Sequence, residues 1–109
     1  YSTVALRELI GRRALDLWQP DLIRLGGVEA WRDSAALANA YNIPVLPHYY
    51  KDYDVPLLCT VRQPSGAESC DWIAAIIDIT MRSETGDAYP RAGAGWGFNF
   101  KPEALTEVK

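Results

Sequence analysis

The feature that most constrains the fold is the alternation of short apolar segments with segments of helical length. Short apolar segments stand at residues 15–18 (LDLW) and 43–46 (IPVL). Residues 28–41 lie between them, and their apolar side chains fall near one helical face: Val28, Trp31, Ala35, Ala38 and Tyr41. Strands that are separated by helices pair in parallel, as βαβ units. The alternation therefore predicts an α/β fold with short, buried, parallel strands.

Two further helices are expected on either side of this unit. The first spans Val4–Arg13, with Ser2 or Thr3 as its N-terminal cap. The second runs from Asp54 to about residue 61, with Asp54 as N-cap and a proline in its first turn.

The second half of the chain is less regular. We expect Glu68–Trp72 to form the edge of a third strand, whereas Ile76–Arg82 fits either an extended or a helical conformation. Ser83–Asp87 is predicted to be a turn, Ala92–Gly97 a glycine-rich loop and Lys101–Lys109 a short terminal helix. The tryptophans are interpreted as core or packing residues: Trp18, Trp31, Trp72 and Trp96.

Charge and composition exclude several classes of partner. The net charge is −3 and the isoelectric point is about 5.0, which argues against binding to nucleic acid or to an anionic membrane. No apolar run approaches the roughly 20 residues of a membrane-spanning helix. Cys59 and Cys70 lack metal-site spacing and are interpreted as reduced thiols. We therefore expect a cytoplasmic protein.

Three polar residues stand at or near the three predicted strands. Asp21 follows LDLWQP, His48 follows IPVLP, and Glu68 follows the loop QPSGA. In parallel α/β folds the active site lies at the carboxyl ends of the strands. An Asp beside a His fixes the tautomer of the imidazole and raises the basicity of its other nitrogen. Each residue alone fits a turn, a cap or a structural role, but their shared position favours an Asp21–His48 proton-transfer dyad.

The neighbours of these residues have two open interpretations. Tyr49, Tyr50 and Lys51 follow His48 directly, and lining of a substrate pocket is as consistent with the sequence as packing. Arg24 lies near Asp21 and is a further candidate for substrate binding, although a salt bridge is the favoured interpretation.

These residues together resemble a known family. The stretch LDLWQPDLIRLGGVEAWRDSAALANAYNIPVLPH is similar to the mandelate racemase-type branch of the enolase superfamily, the mandelate racemase/muconate lactonizing enzyme family. The spacing from Asp21 to His48 and from His48 to Glu68 resembles that of the family's dyad Asp, catalytic His and following Glu. The segment AGAGWGFNFKPEAL is similar to the family's closing glycine-rich segment and terminal helix.

The resemblance implies the C-terminal part of a modified TIM-type (β/α)7β barrel. Residues 1–82 would form its last βα units, and residues 83–109 an extension that packs outside the barrel. The chain does not begin with methionine. We expect it to be a fragment that lacks the family's N-terminal capping domain and its early barrel strands.

The resemblance also implies a chemistry. Enzymes of this superfamily abstract a proton α to a carboxylate and use Mg²⁺ with a Lys or His base to stabilise the enolate. By resemblance, His48 is the base or acid, Asp21 orients it, and Glu68 hydrogen-bonds the substrate carboxylate. The three acidic Mg²⁺ ligands of the family are expected outside this chain, so no metal ligand is assigned.

Dehydration of a sugar acid to a 2-keto-3-deoxy acid is the reaction that the resemblance most suggests. Racemisation, epimerisation and cycloisomerisation are alternatives within the family. An alternative of another class is a non-catalytic fragment that folds only by self-association, because an open part-barrel exposes strand edges. We expect a homo-oligomer, and we expect the 109 residues alone to be inactive.

Overall fold

A computed structural model describes residues 2–106 of the chain. Its elements, in chain order, are α1 (Thr3–Gly11), α2 (Leu22–Leu25), α3 (Val28–Ala40), α4 (Lys51–Leu58), β1 (Arg82–Glu84), β2 (Asp87–Tyr89) and a 3₁₀ helix (Pro102–Ala104). Between the helices, short extended segments pair in parallel.

The parallel pairing joins three segments of the chain. Trp18 pairs with Val45, and Val45 pairs with Pro64. The Val45 N–H donates to the Gln63 carbonyl at 3.0 Å, and the Ser65 N–H donates to the Val45 carbonyl at 2.8 Å. The predicted parallel alternation is therefore confirmed. The third strand was expected at 68–72, which is wrong: it is centred on Pro64, because pairing with the middle strand outweighs the local turn signal of QPSG.

Helix α3 forms the main packing surface against these strands. Its buried residues, Trp31, Ser34, Ala35 and Ala38, recur at helical spacing. The Ser34 hydroxyl accepts from the Trp18 indole at 3.2 Å and donates to the Trp31 carbonyl at 2.8 Å. The core around them is completed by apolar residues from the other elements: Leu6, Leu22, Val45, Leu57 and Leu58.

The first helix follows the sequence closely. The Ser2 hydroxyl accepts from the Ala5 N–H at 3.1 Å, which confirms the predicted cap. The helix ends at Gly11 instead of Arg13, because Arg13 adopts a left-handed conformation with φ of 52°. Helix α2 was not predicted, since it contains only one turn between Pro20 and Gly26.

Helix α4 begins earlier than the sequence suggested. It spans Lys51–Leu58 with Tyr50 as N-cap, so the expected start at Asp54 is wrong. Asp54 lies inside the helix, and its carboxylate accepts from the Tyr50 N–H at 3.1 Å. Pro56 also lies beyond the first turn. The side chain of Asp54 does accept a hydrogen bond at the N-terminus of the helix, but it does so from the fourth helical residue and not from the N-cap position.

The remaining chain folds back on α4. The predicted turn is confirmed as a β-hairpin between β1 and β2, and its Thr85 and Gly86 have positive φ angles of 50° and 89°. Ile77 pairs with Phe100 in antiparallel orientation, so 76–82 is extended at this point. The expected terminal helix is reduced to the 3₁₀ turn Pro102–Ala104, and its last part, residues 107–109, lies outside the described residues.

The predicted boundary between the barrel units, residues 1–82, and the C-terminal extension, residues 83–109, stays a prediction. Within residues 2–106, no helix has the length and apolar character needed to cross a lipid bilayer.

Candidate active site

The ends of the first two parallel strands are joined by a backbone hydrogen bond. The His48 N–H donates to the Pro20 carbonyl at 2.8 Å. Pro20, Asp21 and Pro47 are buried around this junction. The bond places His48 and Asp21 on the same side of the sheet, as expected for residues that follow parallel strands.

Glu68 holds the His48 ring. The His48 Nδ1 lies 2.7 Å from Glu68 Oε2, and the same oxygen accepts from the Tyr49 N–H at 2.8 Å. The other oxygen, Oε1, accepts from the Gln19 side-chain amide at 2.9 Å. A carboxylate that accepts from Nδ1 places the proton of a neutral imidazole on that nitrogen, which leaves Nε2 as the basic nitrogen.

Among the described residues, no hydrogen bond between Asp21 and the His48 ring is found. Asp21 is the N-cap of α2: Oδ1 accepts from the Arg24 N–H at 2.9 Å, and Oδ2 lies 3.2 Å from the Arg24 Nε. Its side chain is buried, whereas that of Arg24 is half exposed. The structure therefore brings His48 together with Glu68 through a hydrogen bond, and it orients Asp21 toward Arg24. Whether Asp21 orients His48 during catalysis stays a prediction.

A cavity of about 240 Å³ lies beside the His48 ring. It is lined by Asp21, Ile23, Arg24, His48, Tyr49 and Tyr50. Three of the residues proposed to bind substrate, Arg24, Tyr49 and Tyr50, thus share one cavity with the strand-end residues Asp21 and His48. Their contact with substrate stays a prediction.

Lys51 points elsewhere. Its ammonium pairs with Asp71, and it lines a separate cavity of about 340 Å³ between α4 and the hairpin. Glu68 lines that second cavity as well. Lys51 therefore lines the second cavity and not the His48 cavity, whereas Glu68 lines the second cavity and also holds the His48 ring.

An aromatic pair stands next to His48. The Tyr49 ring stacks on Trp72 with a centroid distance of 5.3 Å and an interplanar angle of 19°, and it lies 5.6 Å from the His48 ring. Trp72 is 66% exposed, so of the two roles expected for it, core or packing, the structure shows packing, against Tyr49. Its position four residues after Glu68 was the signal that could have assigned it to the site.

Asp54 was missed as a site residue. It is 1% exposed, and no hydrogen-bond partner for its Oδ1 is found in the part of the chain that the structure describes. Burial raises the pKa of Asp54 to about 8; the hydrogen bond from Tyr50 opposes this shift, and the nearby charges of Asp21 and Glu68 add to it. At neutral pH the group is therefore mainly the uncharged acid.

The residues do not fit a metal centre by themselves. In the segment from Ser2 to Thr106, no group of three or more His, Cys, Asp or Glu side chains is arranged to hold an ion. The carboxylates near His48 are occupied by N–H donors, as described for Asp21 and Glu68. Both cysteines are free thiols, with Cys59 exposed and Cys70 partly buried.

Comparisons with known proteins agree on one fold. The family model described as enolase C-terminal domain-like matches residues 1–104. An L-talarate dehydratase from Polaromonas sp. JS666, complexed with Mg and L-glucarate, is 22% identical with a TM-score of 0.89, and 94% of this chain is covered. An L-talarate/galactarate dehydratase from Salmonella typhimurium LT2, liganded with Mg and L-lyxarohydroxamate, has the same identity, TM-score and coverage of this chain.

A third similar structure is an enolase from Bradyrhizobium, complexed with magnesium and mandelic acid. It is 26% identical over 95% of this chain, with a TM-score of 0.84. The chain spans only 28%, 26% and 28% of the length of these three structures, respectively. The predicted enolase-type barrel fold is thereby confirmed.

Proposed function

Because the chain belongs to the enolase C-terminal domain-like family, we propose that the full-length protein abstracts the proton α to a carboxylate and that His48 transfers this proton. The observation that carries the proposal is the hydrogen bond of 2.7 Å between His48 Nδ1 and Glu68. General acid–base catalysis needs a base of fixed tautomer within reach of the substrate. The Glu68 carboxylate supplies the first condition, and the adjoining cavity supports the second.

The free nitrogen of the ring is suited to proton transfer. Among residues 2–106, no hydrogen bond to His48 Nε2 is found, whereas Nδ1 is held by Glu68. The ring is about one-third exposed, so water or substrate can reach it. Asp21 and Arg24 lie at the same cavity as a buried carboxylate and a cation. The cation is suited to attract an anionic substrate.

We propose dehydration of a sugar acid as the overall reaction. The base removes the α-proton, and the electron pair of the C–H bond forms an enediolate. The β-hydroxyl then takes a proton and leaves as water, and the resulting enol rearranges to a 2-keto-3-deoxy acid. Two of the similar structures are dehydratases of this kind, one of them with L-glucarate bound. His48 serves as the base for the first step, and its protonated ring can then supply the proton for the second.

Mg²⁺ is the cofactor that we propose for the full-length protein, since all three similar structures contain it. When bound, it would stabilise the negative charge of the enediolate. The described residues form no site for it. The ligands would therefore come from other parts of the protein, and the role of His48 is derived without it.

Racemisation of an aromatic hydroxy acid is a second candidate. The stacked pair Tyr49–Trp72 presents an apolar surface beside His48, which suits a phenyl ring. The Bradyrhizobium structure contains mandelic acid. Racemisation needs the same α-proton transfer but no leaving hydroxyl, so the products distinguish the two reactions.

The experiment compares the full-length protein with its His48→Asn variant in the presence of Mg²⁺. Galactarate, L-talarate, L-glucarate and each enantiomer of mandelate are offered, and 2-keto acid formation and optical rotation are followed. We expect turnover of a sugar acid to fall by about 10²–10⁴-fold in the variant, as for loss of a general acid–base group. An unchanged thermal melting curve is the control for folding. Undiminished turnover in His48→Asn would contradict the proposal.

A further inference from the structure

The chain makes a tight turn immediately after His48. Tyr49 has a φ of 81°, and the Tyr50 N–H donates to the His48 carbonyl at 3.1 Å. A hydrogen bond from residue i+2 back to residue i, with a positive φ between them, defines a strained γ-turn. A bulky aromatic residue rarely adopts this conformation. Such strain persists only where the surrounding structure holds it in place, and it is concentrated at functional sites.

Two carboxyl groups hold this turn: one accepts from the Tyr49 N–H and the other from the Tyr50 N–H. Glu68 accepts from the Tyr49 N–H and from the His48 ring. Asp54 accepts from the Tyr50 N–H at 3.1 Å, and its own N–H donates to the Tyr50 carbonyl at 2.8 Å. The bond to the Asp54 side chain corresponds to one half of a capping box, except that the carboxyl group comes from the fourth helical residue instead of the third. The bond from the Asp54 N–H is the first i→i−4 backbone hydrogen bond of α4. The first turn of α4 is thereby tied to the residue that leaves the γ-turn.

We infer that Asp54 is a positioning residue for His48, because its carboxyl group fixes the far end of the strained turn that carries the imidazole ring. Asp54 does not touch the ring itself. It acts through the Tyr50 peptide and the Tyr49 turn, while Glu68 fixes the near end. The inference rests on the proposed role of His48 in proton transfer and deepens it.

The burial of Asp54 supports this role. The side chain is 1% exposed, and the nearby negative charges of Asp21 and Glu68 disfavour its ionisation by raising its pKa. An uncharged acid still accepts the Tyr50 N–H through its carbonyl oxygen. It adds no third negative charge to a site where Glu68 must attract the Nδ1 proton. The buried position also excludes water from the hydrogen bond that holds the turn.

A merely structural role is the alternative, in which Asp54 stabilises the start of α4 and nothing more. Asp52 provides a matched control, because it is the same residue type on the same helix and is 2% exposed. Its carboxylate pairs with Arg91, and within residues 2–106 no hydrogen bond from it to the His48 turn is found. Loss of either carboxyl group should lower stability, but only the change at Asp54 should alter the position of the His48 ring.

The test uses the full-length protein with the variants Asp54→Leu, Asp54→Asn and Asp52→Asn. Long-range ¹H–¹⁵N spectra report which imidazole nitrogen carries the proton, and the His48 signals are identified by their loss in His48→Asn. We expect Asp54→Leu to reduce the Nδ1–H tautomer and to lower kcat about 100-fold, with KM within about 3-fold of the original value, as for a small misplacement of a catalytic group. Asp54→Asn, which keeps the acceptor oxygen, should restore both properties.

Several outcomes would overturn the inference. One is an Asp54→Leu variant in which the population of the Nδ1–H tautomer and kcat are unchanged. Another is an Asp52→Asn variant in which both quantities fall as much as in Asp54→Leu. If Asp54→Leu does not fold, Asp54→Ala is used in its place, with the same expectation and the same refuting result. The tautomer measurement separates this inference from the proposed function. If His48→Asn retains turnover the proposed function fails, and the spectra of the Asp54 variants still show whether Asp54 orients the ring.

Discussion

The uncharged state of Asp54 predicts an unusual dependence of stability on pH. Folding raises the pKa of this carboxyl group from 3.8 to about 8, so the folded state binds a proton that the unfolded state releases. The stability contributed by Asp54 is therefore fully present below pH 3.8 and is lost as the pH rises through about 8. Asparagine, which is uncharged at every pH, removes this dependence.

The magnitude follows from the size of the shift. Each pKa unit corresponds to about 1.4 kcal/mol. The rise of the Asp54 pKa from 3.8 to about 8 therefore amounts to about 6 kcal/mol across the whole range. Between pH 5 and pH 7 the free energy of unfolding of the original protein should therefore fall relative to that of Asp54→Asn, by up to about 1.4 kcal/mol per pH unit.

Urea unfolding at pH 5, 6, 7, 8 and 9 measures this difference. Asp78→Asn is the control, because the hydrogen bonds from Asn99 lower the pKa of Asp78 and its contribution is lost only as the pH falls below its ordinary range. The reasoning would be refuted if the difference in free energy of unfolding between Asp54→Asn and the original protein stayed constant from pH 5 to pH 8.

Three further predictions concern other parts of the structure. Arg91→Ala leaves the buried carboxylate of Asp52 unpaired and should lower the free energy of unfolding by about 3–5 kcal/mol, measured by urea unfolding; a loss below about 1 kcal/mol would contradict the burial of this pair. Trp72→Ala removes the surface stacked on Tyr49, so KM should rise several-fold for mandelate and less for sugar acids; equal changes would argue against an aromatic subsite. The 109 residues alone expose apolar side chains such as Ile23 and Val28, and size-exclusion chromatography with light scattering should show self-association, whereas a stable monomer would contradict it.

The parallel βαβ architecture was predictable because its signal is local and periodic. The apolar face of α3 and the flanking segments at Trp18 and Val45 each show their own pattern in the sequence. The third strand was misplaced because Pro64 has a low strand propensity. Its pairing with Val45 is decided by tertiary contact.

The sequence predicted which residues belong to the site better than it predicted which of them contact each other. His48 and Glu68 were identified from strand ends, but the sequence suggested Asp21 as the partner of the His48 ring. Asp21 precedes the single turn α2, and the free N–H groups of that turn attract its carboxylate. Asp54 was assigned to a helix cap. Its link to Tyr50 depends on where α4 begins, and the sequence does not specify boundaries of this kind.

The central claim is that His48 transfers the α-proton of a carboxylate substrate, with its ring held by Glu68. Exchange of this proton with solvent in D₂O, followed by ¹H NMR on the full-length protein with Mg²⁺ and a sugar acid that it turns over, tests the claim most directly. We predict exchange or deuterium incorporation in the original protein, its loss in His48→Asn, and a strong reduction in Glu68→Gln. Exchange at the original rate in His48→Asn would contradict the account.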